Sequence, residues 1–288
     1  MNYIQKIYDD MSYNGIEFLG HILDAPSVWQ RFSKPGKSSK SIYVFINPTR
    51  HYAIYGDFSL CDESFKVILN RSKYTEEDYR EERKIALMHL DTELKISNEC
   101  EIFWNECEDP DFDHPYLLKK HITPLHIRQY GKNYLICPLY TEFGKLVGLQ
   151  SISPYGKKKF KQGSILKNSF MFIGDNKTKI IRLVEGYATG VSIHMATDDL
   201  VCVAYSATNL TNVAKILKRN FLKHEIIICS DPKPDEIAYA MRAAQTINCA
   251  IHCPVSHNSS LLDFNDIHVF YGIEALQGQL YSRSFRGY

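Results

Sequence analysis

The chain contains no run of about 18 apolar residues, so nothing in it reads as a membrane span. Its start, Met1-Asn2-Tyr3-Ile4-Gln5-Lys6, lacks the apolar core of a signal peptide. Eight cysteines are present, but none of the spacings of a small disulfide scaffold. Cys137, Cys202 and Cys229 lie in apolar runs, as reduced, buried thiols of a cytoplasmic protein do. Paired C-x-x-C knuckles are missing too. Cys249-Ala250-Ile251-His252-Cys253, with His257 nearby, makes a poor zinc site, because strand alternation sends His252 away from both cysteines. A complete G-x-x-x-x-G-K-[ST] motif is absent: Gly36-Lys37-Ser38 follows Lys34-Pro35 directly, which excludes a P-loop ATPase. No internal repeat or low-complexity segment occurs.

What remains is a globular composition, 288 residues with 44% hydrophobic side chains, enough for one large or two modest domains. The formal net charge is only +1, but it is unevenly spread. Residues 1–74 carry +2 and residues 75–114 carry −10, from four Lys/Arg against fourteen Asp/Glu. Residues 115–184 carry +11 and residues 185–288 carry −2. A block of +11 ahead of a carboxylate-bearing segment suits a polyanion, or a solvated basic face balanced by the acidic stretch.

Four segments are expected. Residues 1–74 read as an α+β module with a helix around Ser12–Leu23, a basic loop Lys34–Lys40, and strands at Ser41–Ile46 and Tyr52–Tyr55. Residues 75–113 hold a long polar connecting helix, opened by Thr75 and the acids Glu76, Glu77 and Asp78. Residues 114–177 form a β-rich basic subdomain, with strands Tyr134–Leu139 and Leu146–Ser153 and a basic strand after Gly156. Residues 178–288 alternate. Strands Ile180–Val184, Leu200–Tyr205, Glu225–Cys229 and Cys249–Val255 are followed by helices Ala188–Ala196, Leu210–Phe221, Pro234–Thr246 and one near Gly272–Leu280. Apolar strands alternating with helices imply a buried parallel sheet flanked by helices.

The chemistry concentrates at the ends of those strands. Val184-Glu185-Gly186-Tyr187-Ala188-Thr189-Gly190 places a carboxylate where a strand turns into a helix, the edge at which open α/β sheets put their sites. The third strand ends in Cys229-Ser230-Asp231, and Asp263-Phe264-Asn265-Asp266 follows the fourth. Those last acids can hold a metal or its water, or cap a helix. Lys157, Lys158, Lys159 and Lys161 precede Glu185 by fewer than thirty positions. They read as a phosphate-binding strand or a solvated one, with Tyr130, Tyr134, Tyr155 and Phe160 available to stack bases. Paired acids at adjacent strand ends suit a hard divalent cation and phosphoryl chemistry.

These residues resemble a Toprim domain, the metal-dependent α/β module of DnaG-type primases, topoisomerases and OLD-family nucleases. The order Glu185-Gly186-Tyr187-Ala188-Thr189, Asn209-Leu210, Asp231, Asp263–His268 and Gly272–Ala275 is most similar to the primases of plasmids, phages and satellites. The similarity extends upstream through His114–Leu117, Leu135–Leu139, Gly144–Gln150 and Lys158–Phe160.

The resemblance implies an α/β Toprim domain, preceded by the basic subdomain and the N-terminal module. It implies RNA primer synthesis on single-stranded DNA from ribonucleoside triphosphates, with Mg²⁺ or Mn²⁺ and a separate replicative helicase or initiator as partner. Glu185, Asp231 and Asp235 would be catalytic. The same three acids, with Asp263 and Asp266, would hold metal, while Lys37, Lys132, Lys157, Lys158, Lys159 and Lys161 would meet nucleic acid or nucleotide. One position departs from the family: Asp-x-Asp is expected after the third strand, and Asp231-Pro232-Lys233-Pro234-Asp235-Glu236 stands there. That leaves open a non-catalytic replication module that binds DNA and recruits a helicase, and a Toprim nuclease.

Overall fold

The computed structural model describes residues 3–57, 64–255, 261–281 and 285–286. The chain divides into two compact units, Met1–Thr92 and Glu93–Tyr288. The first holds helix α1 (Tyr3–Tyr13) and strands β1 (Trp29–Phe32), β2 (Ile42–Ile46), β3 (Tyr52–Asp57) and β4 (Ser64–Ile68), paired antiparallel in that order. Ile7 and Met11 of α1 share a core with Ile42, Val44, Ala53 and Tyr55. The expected Ser12–Leu23 helix is displaced. Gly15 adopts φ +69, which ends the helix, yet Ile16 and Ile22 enter the same core. The apolar spacing therefore runs past the point where the backbone stops being helical.

Helix α2 (Glu76–Glu106) runs 31 residues, and the division between units falls inside it. The second unit continues with α3 (Pro115–Lys120) and four antiparallel strands, β5 (Arg128–Tyr130), β6 (Tyr134–Tyr140), β7 (Leu146–Ile152) and β8 (Lys158–Phe160). Next come β9 (Met171–Ile173), β10 (Ile180–Val184), α4 (Tyr187–Thr197), β11 (Leu200–Val203), a 3₁₀ turn at Ala207–Asn209 and α5 (Leu210–Asn220). The remainder is β12 (Glu225–Cys229), α6 (Pro234–Ile247), β13 (Ala250–His252), α7 (Phe264–Tyr271), α8 (Ile273–Tyr281) and β14 (Phe285–Arg286). Two helices replace the single expected one near Gly272–Leu280, because Gly272 at φ +88 breaks the run.

The second sheet has the order β14-β13-β12-β10-β11-β9. Its four central strands are parallel and its two edge strands antiparallel. This is the α/β class that the alternation implies. Ile181, Leu183, Leu200, Cys202, Ile226 and Ile228 face α5 and α6. Val184, Val201, Val203 and Ile227 face the core built by α4, α7 and α8. Leu135, Cys137, Leu139 and Ile152 of the β5–β8 sheet join that same core. The segments read separately as 114–177 and 178–288 are thus bound by one hydrophobic interior. Chain order reverses around β10: β11 lies on one side of it and β12 on the other. Such a switch point opens a crevice beyond the carboxyl ends of the two strands.

Candidate active site

The strand ends at this crevice carry the acids. Glu185 follows β10 and Asp231 lies two residues beyond β12. Burial raises the Glu185 carboxyl above the usual range, and the charge of Glu236 adds to the rise. Lys158, Lys233 and the backbone N–H of Ala207, which donates to the carboxylate, pull it back. Burial also pushes Asp231 up to about 7, helped by the charges of Asp263, Glu236 and Glu185 and opposed by Lys233. Four acids therefore share one field, and two are desolvated enough to hold protons more tightly than carboxylates in water.

Of the acids behind Pro234, Glu236 is the one whose charge reaches Glu185 and Asp231. It sits in the first turn of α6, its Oε1 3.0 Å from the Lys233 ammonium, while its Oε2 is buried without a hydrogen-bond partner. Asp235 stays exposed on the same turn and adds no charge to the shifts of Glu185 or Asp231. Pro232 alone separates Lys233 from Asp231, and the Lys233 ammonium feels Glu236, Asp231 and Glu185 together.

Asp263 caps α7. Its Oδ1 accepts from the Asp266 N–H at 2.7 Å, and the Asp266 Oδ2 accepts from the Asp263 N–H at 3.3 Å. The Asp266 carboxylate also meets Lys120 at 3.4 Å. The capping alternative is thus realised, although Asp263 still contributes its charge to Asp231. Asn265, fully buried between them, donates to the Lys120 carbonyl and the Ser192 hydroxyl.

The lysines do not share one face. Lys158 reaches the acids, its ammonium 3.5 Å from where a Cβ on Gly186 would stand. Gly186 has φ −108, open to any residue, so its missing side chain matters as room for the Lys158 ammonium rather than as backbone freedom. Lys159 pairs in register with Ser151 and points to the opposite side of the β5–β8 sheet. Lys161 is tied to Glu99 at 2.6 Å. Lys157 is exposed in the turn before β8, and Lys132 in the hairpin between β5 and β6. Lys37 is exposed in a loop of the first unit.

The acids fit a hard divalent cation in kind: all are oxygen donors, and Glu236 offers a buried oxygen without a partner. Among the described residues no three His, Cys, Asp or Glu side chains are grouped as a metal cage. His257 lies outside the described residues. Mg²⁺ is commonly held by one or two carboxylates plus substrate phosphates, and this arrangement suits that mode better than a preformed cage.

No protein-family model matches the chain. Among solved structures, it is similar to the Aquifex aeolicus primase with its zinc-binding and RNA polymerase domains, at 13% identity and TM-score 0.48, over 99% of this chain and 86% of that one. It is also similar to the DnaG primase catalytic domain bound to single-stranded DNA, at 10% identity and TM-score 0.48, over 66% and 79%. The primase fragment of the bacteriophage T7 primase-helicase aligns at 15% identity and TM-score 0.42, over 58% and 69%.

Proposed function

We propose that the protein is a Toprim-type DNA primase of a mobile element, joining ribonucleotides on a single-stranded DNA template. The observation that carries the reading is the placement of Glu185 and Asp231 at the carboxyl ends of the neighbouring parallel strands β10 and β12, with the Lys158 ammonium against Gly186 and its charge felt by Glu185. In the reaction, the 3′-hydroxyl oxygen of one nucleotide bonds to the α-phosphorus of the next, and pyrophosphate departs. Glu185 and Asp231, completed by substrate phosphates, would hold Mg²⁺ or Mn²⁺, which would offset charge on the transferring phosphoryl group when bound, and Glu236 adds its negative charge beside them. Lys158 is positioned to meet triphosphate oxygens beside Glu185. Burial and the neighbouring acids push Asp231 up to about 7, so its carboxyl would have to give up its proton to serve as a ligand. A separate helicase or initiator would deliver the template.

Incorporation of labelled ribonucleotides on single-stranded DNA tests this. Glu185→Gln keeps the shape of the side chain, removes its charge and is expected to abolish Mg²⁺- or Mn²⁺-dependent primer synthesis. Synthesis surviving at the wild-type rate would sink the assignment. The Lys233–Glu236 pair favours one alternative, a replication module that binds DNA without catalysis. Such a module would bind template equally in EDTA and make no primer under any metal.

A further inference from the structure

The outer face of the β5–β8 sheet carries a cavity of about 340 Å³, at the small end of ligand pockets. Register places Tyr130, Tyr134, Ser151 and Lys159 on this face, one from each strand. Leu135, Cys137 and Ile152 turn the other way, into the core shared with Glu185's neighbours Val184 and Tyr187. The cavity is therefore not part of the acid site. Phe103 of α2 closes one side, 4.7 Å from Tyr130 between ring centres, and Phe160 closes another. Ile136 and Leu149 also line it.

Two properties distinguish the cavity from an ordinary packing defect. Tyr130, Tyr134 and Phe160 remain 48%, 45% and 40% exposed, so aromatic surface is left open to solvent. Lys159 also lines the cavity, and no acidic partner of its ammonium is found among the described residues. Lys132 sits exposed in the hairpin turn that joins Tyr130 to Tyr134. Open aromatic surface beside lysines that have no acidic partner among the described residues matches a flat ring attached to an anionic chain.

We propose that this cavity holds one unpaired base of the single-stranded DNA template, stacked against Tyr134 and Tyr130, with the flanking phosphates on Lys159 and Lys132. The proposal rests on the template-binding reading above and adds a second contact site on the other face of the sheet from the acids. Stacking on aromatic side chains tolerates any base, so the site grips the template without reading it.

Binding measured in EDTA separates the two ideas, since no catalysis is involved. The probes are a fluorescent oligo-dT and the same strand with abasic positions, titrated against the full chain by anisotropy. Tyr134→Leu keeps an apolar side chain at a half-exposed position. It is expected to weaken oligo-dT binding about 5- to 100-fold and to leave binding to the abasic strand unchanged. Wild-type affinity of Tyr134→Leu for oligo-dT would overturn the pocket while leaving the primase reading standing. Failure of the wild type to bind either strand would overturn both. Photocrosslinking of the wild-type protein to a 5-iodouracil strand gives a readout independent of any variant. Adducts on Tyr130 or Tyr134 support the proposal, and adducts confined to residues around Glu185 refute it.

Discussion

Lys233 is the residue on which the chemistry turns. An ammonium 3.0 Å from Glu236, within the field of Glu185 and Asp231, offsets the negative charge that would otherwise draw a metal. Its side chain is well exposed, so solvent screens much of the effect and the pair is weak. Lys233→Ala should free Glu236 and lower the Mg²⁺ concentration giving half-maximal primer synthesis about two- to fivefold, read directly from a metal titration. A higher half-maximal concentration would show instead that the lysine assists the site. Glu185 and Asp231 were legible in the sequence, since a carboxylate at the end of an apolar strand has few structural uses. Glu236 was legible only as one of two acids, with Asp235, that could enter through the Pro-bounded loop, and both also look like ordinary first-turn helix acids; the fold decides that Glu236 is the one felt by Asp231. Lys158 was visible only as one lysine among four, because the end of a short edge strand does not reveal which alternate positions face inward.

At the scale of elements, β10 and β12 followed from their apolar runs alone, with bounds as expected. What the runs concealed is a charge inside the sheet. Arg182 stands in mid-strand on β10, fully buried, its Nε 2.6 Å from Asp199 and its Nη1 3.3 Å from Nδ1 of His252 on β13. Donation from Arg182 leaves Nδ1 an acceptor, so His252 is neutral with its proton on Nε2. Burial, then the Arg182 charge, depresses its pKa to about 4. Because the folded value lies below the ordinary 6.5, this contribution to stability is complete above about pH 6.5 and is lost as pH falls toward 4. The loss is on the order of 3 kcal/mol. His252→Gln keeps an acceptor for Arg182 and does not titrate. Denaturant melts should show its stability relative to wild type rising by that order between pH 6.5 and 4, and a constant gap would refute the account. An arginine in an apolar strand was plain in the sequence. Its partners were not, because Asp199 and His252 lie 17 and 70 residues away and meet it only through the parallel strand order.

For the whole molecule, a net charge of +1 says little about the field a nucleic acid strand meets. At physiological salt, charges more than about 8 Å apart are largely screened, so local clusters decide. The +11 of residues 115–184 is divided by the β5–β8 sheet, with Lys158 turned toward the acids and Lys159 toward the aromatic cavity. These two kinds of contact leave different marks on binding. Each phosphate neutralised on a single strand contributes about −0.7 to the slope of log affinity against log salt, whereas stacking contributes almost nothing. Lys159→Gln should therefore make the slope shallower by about 0.7, and its deficit should shrink as salt is raised. Tyr134→Leu should shift the whole line downward and leave its slope alone. Parallel lines for wild type and Lys159→Gln would mean that Lys159 meets no phosphate. The cavity would then have to hold its base by aromatic surface alone.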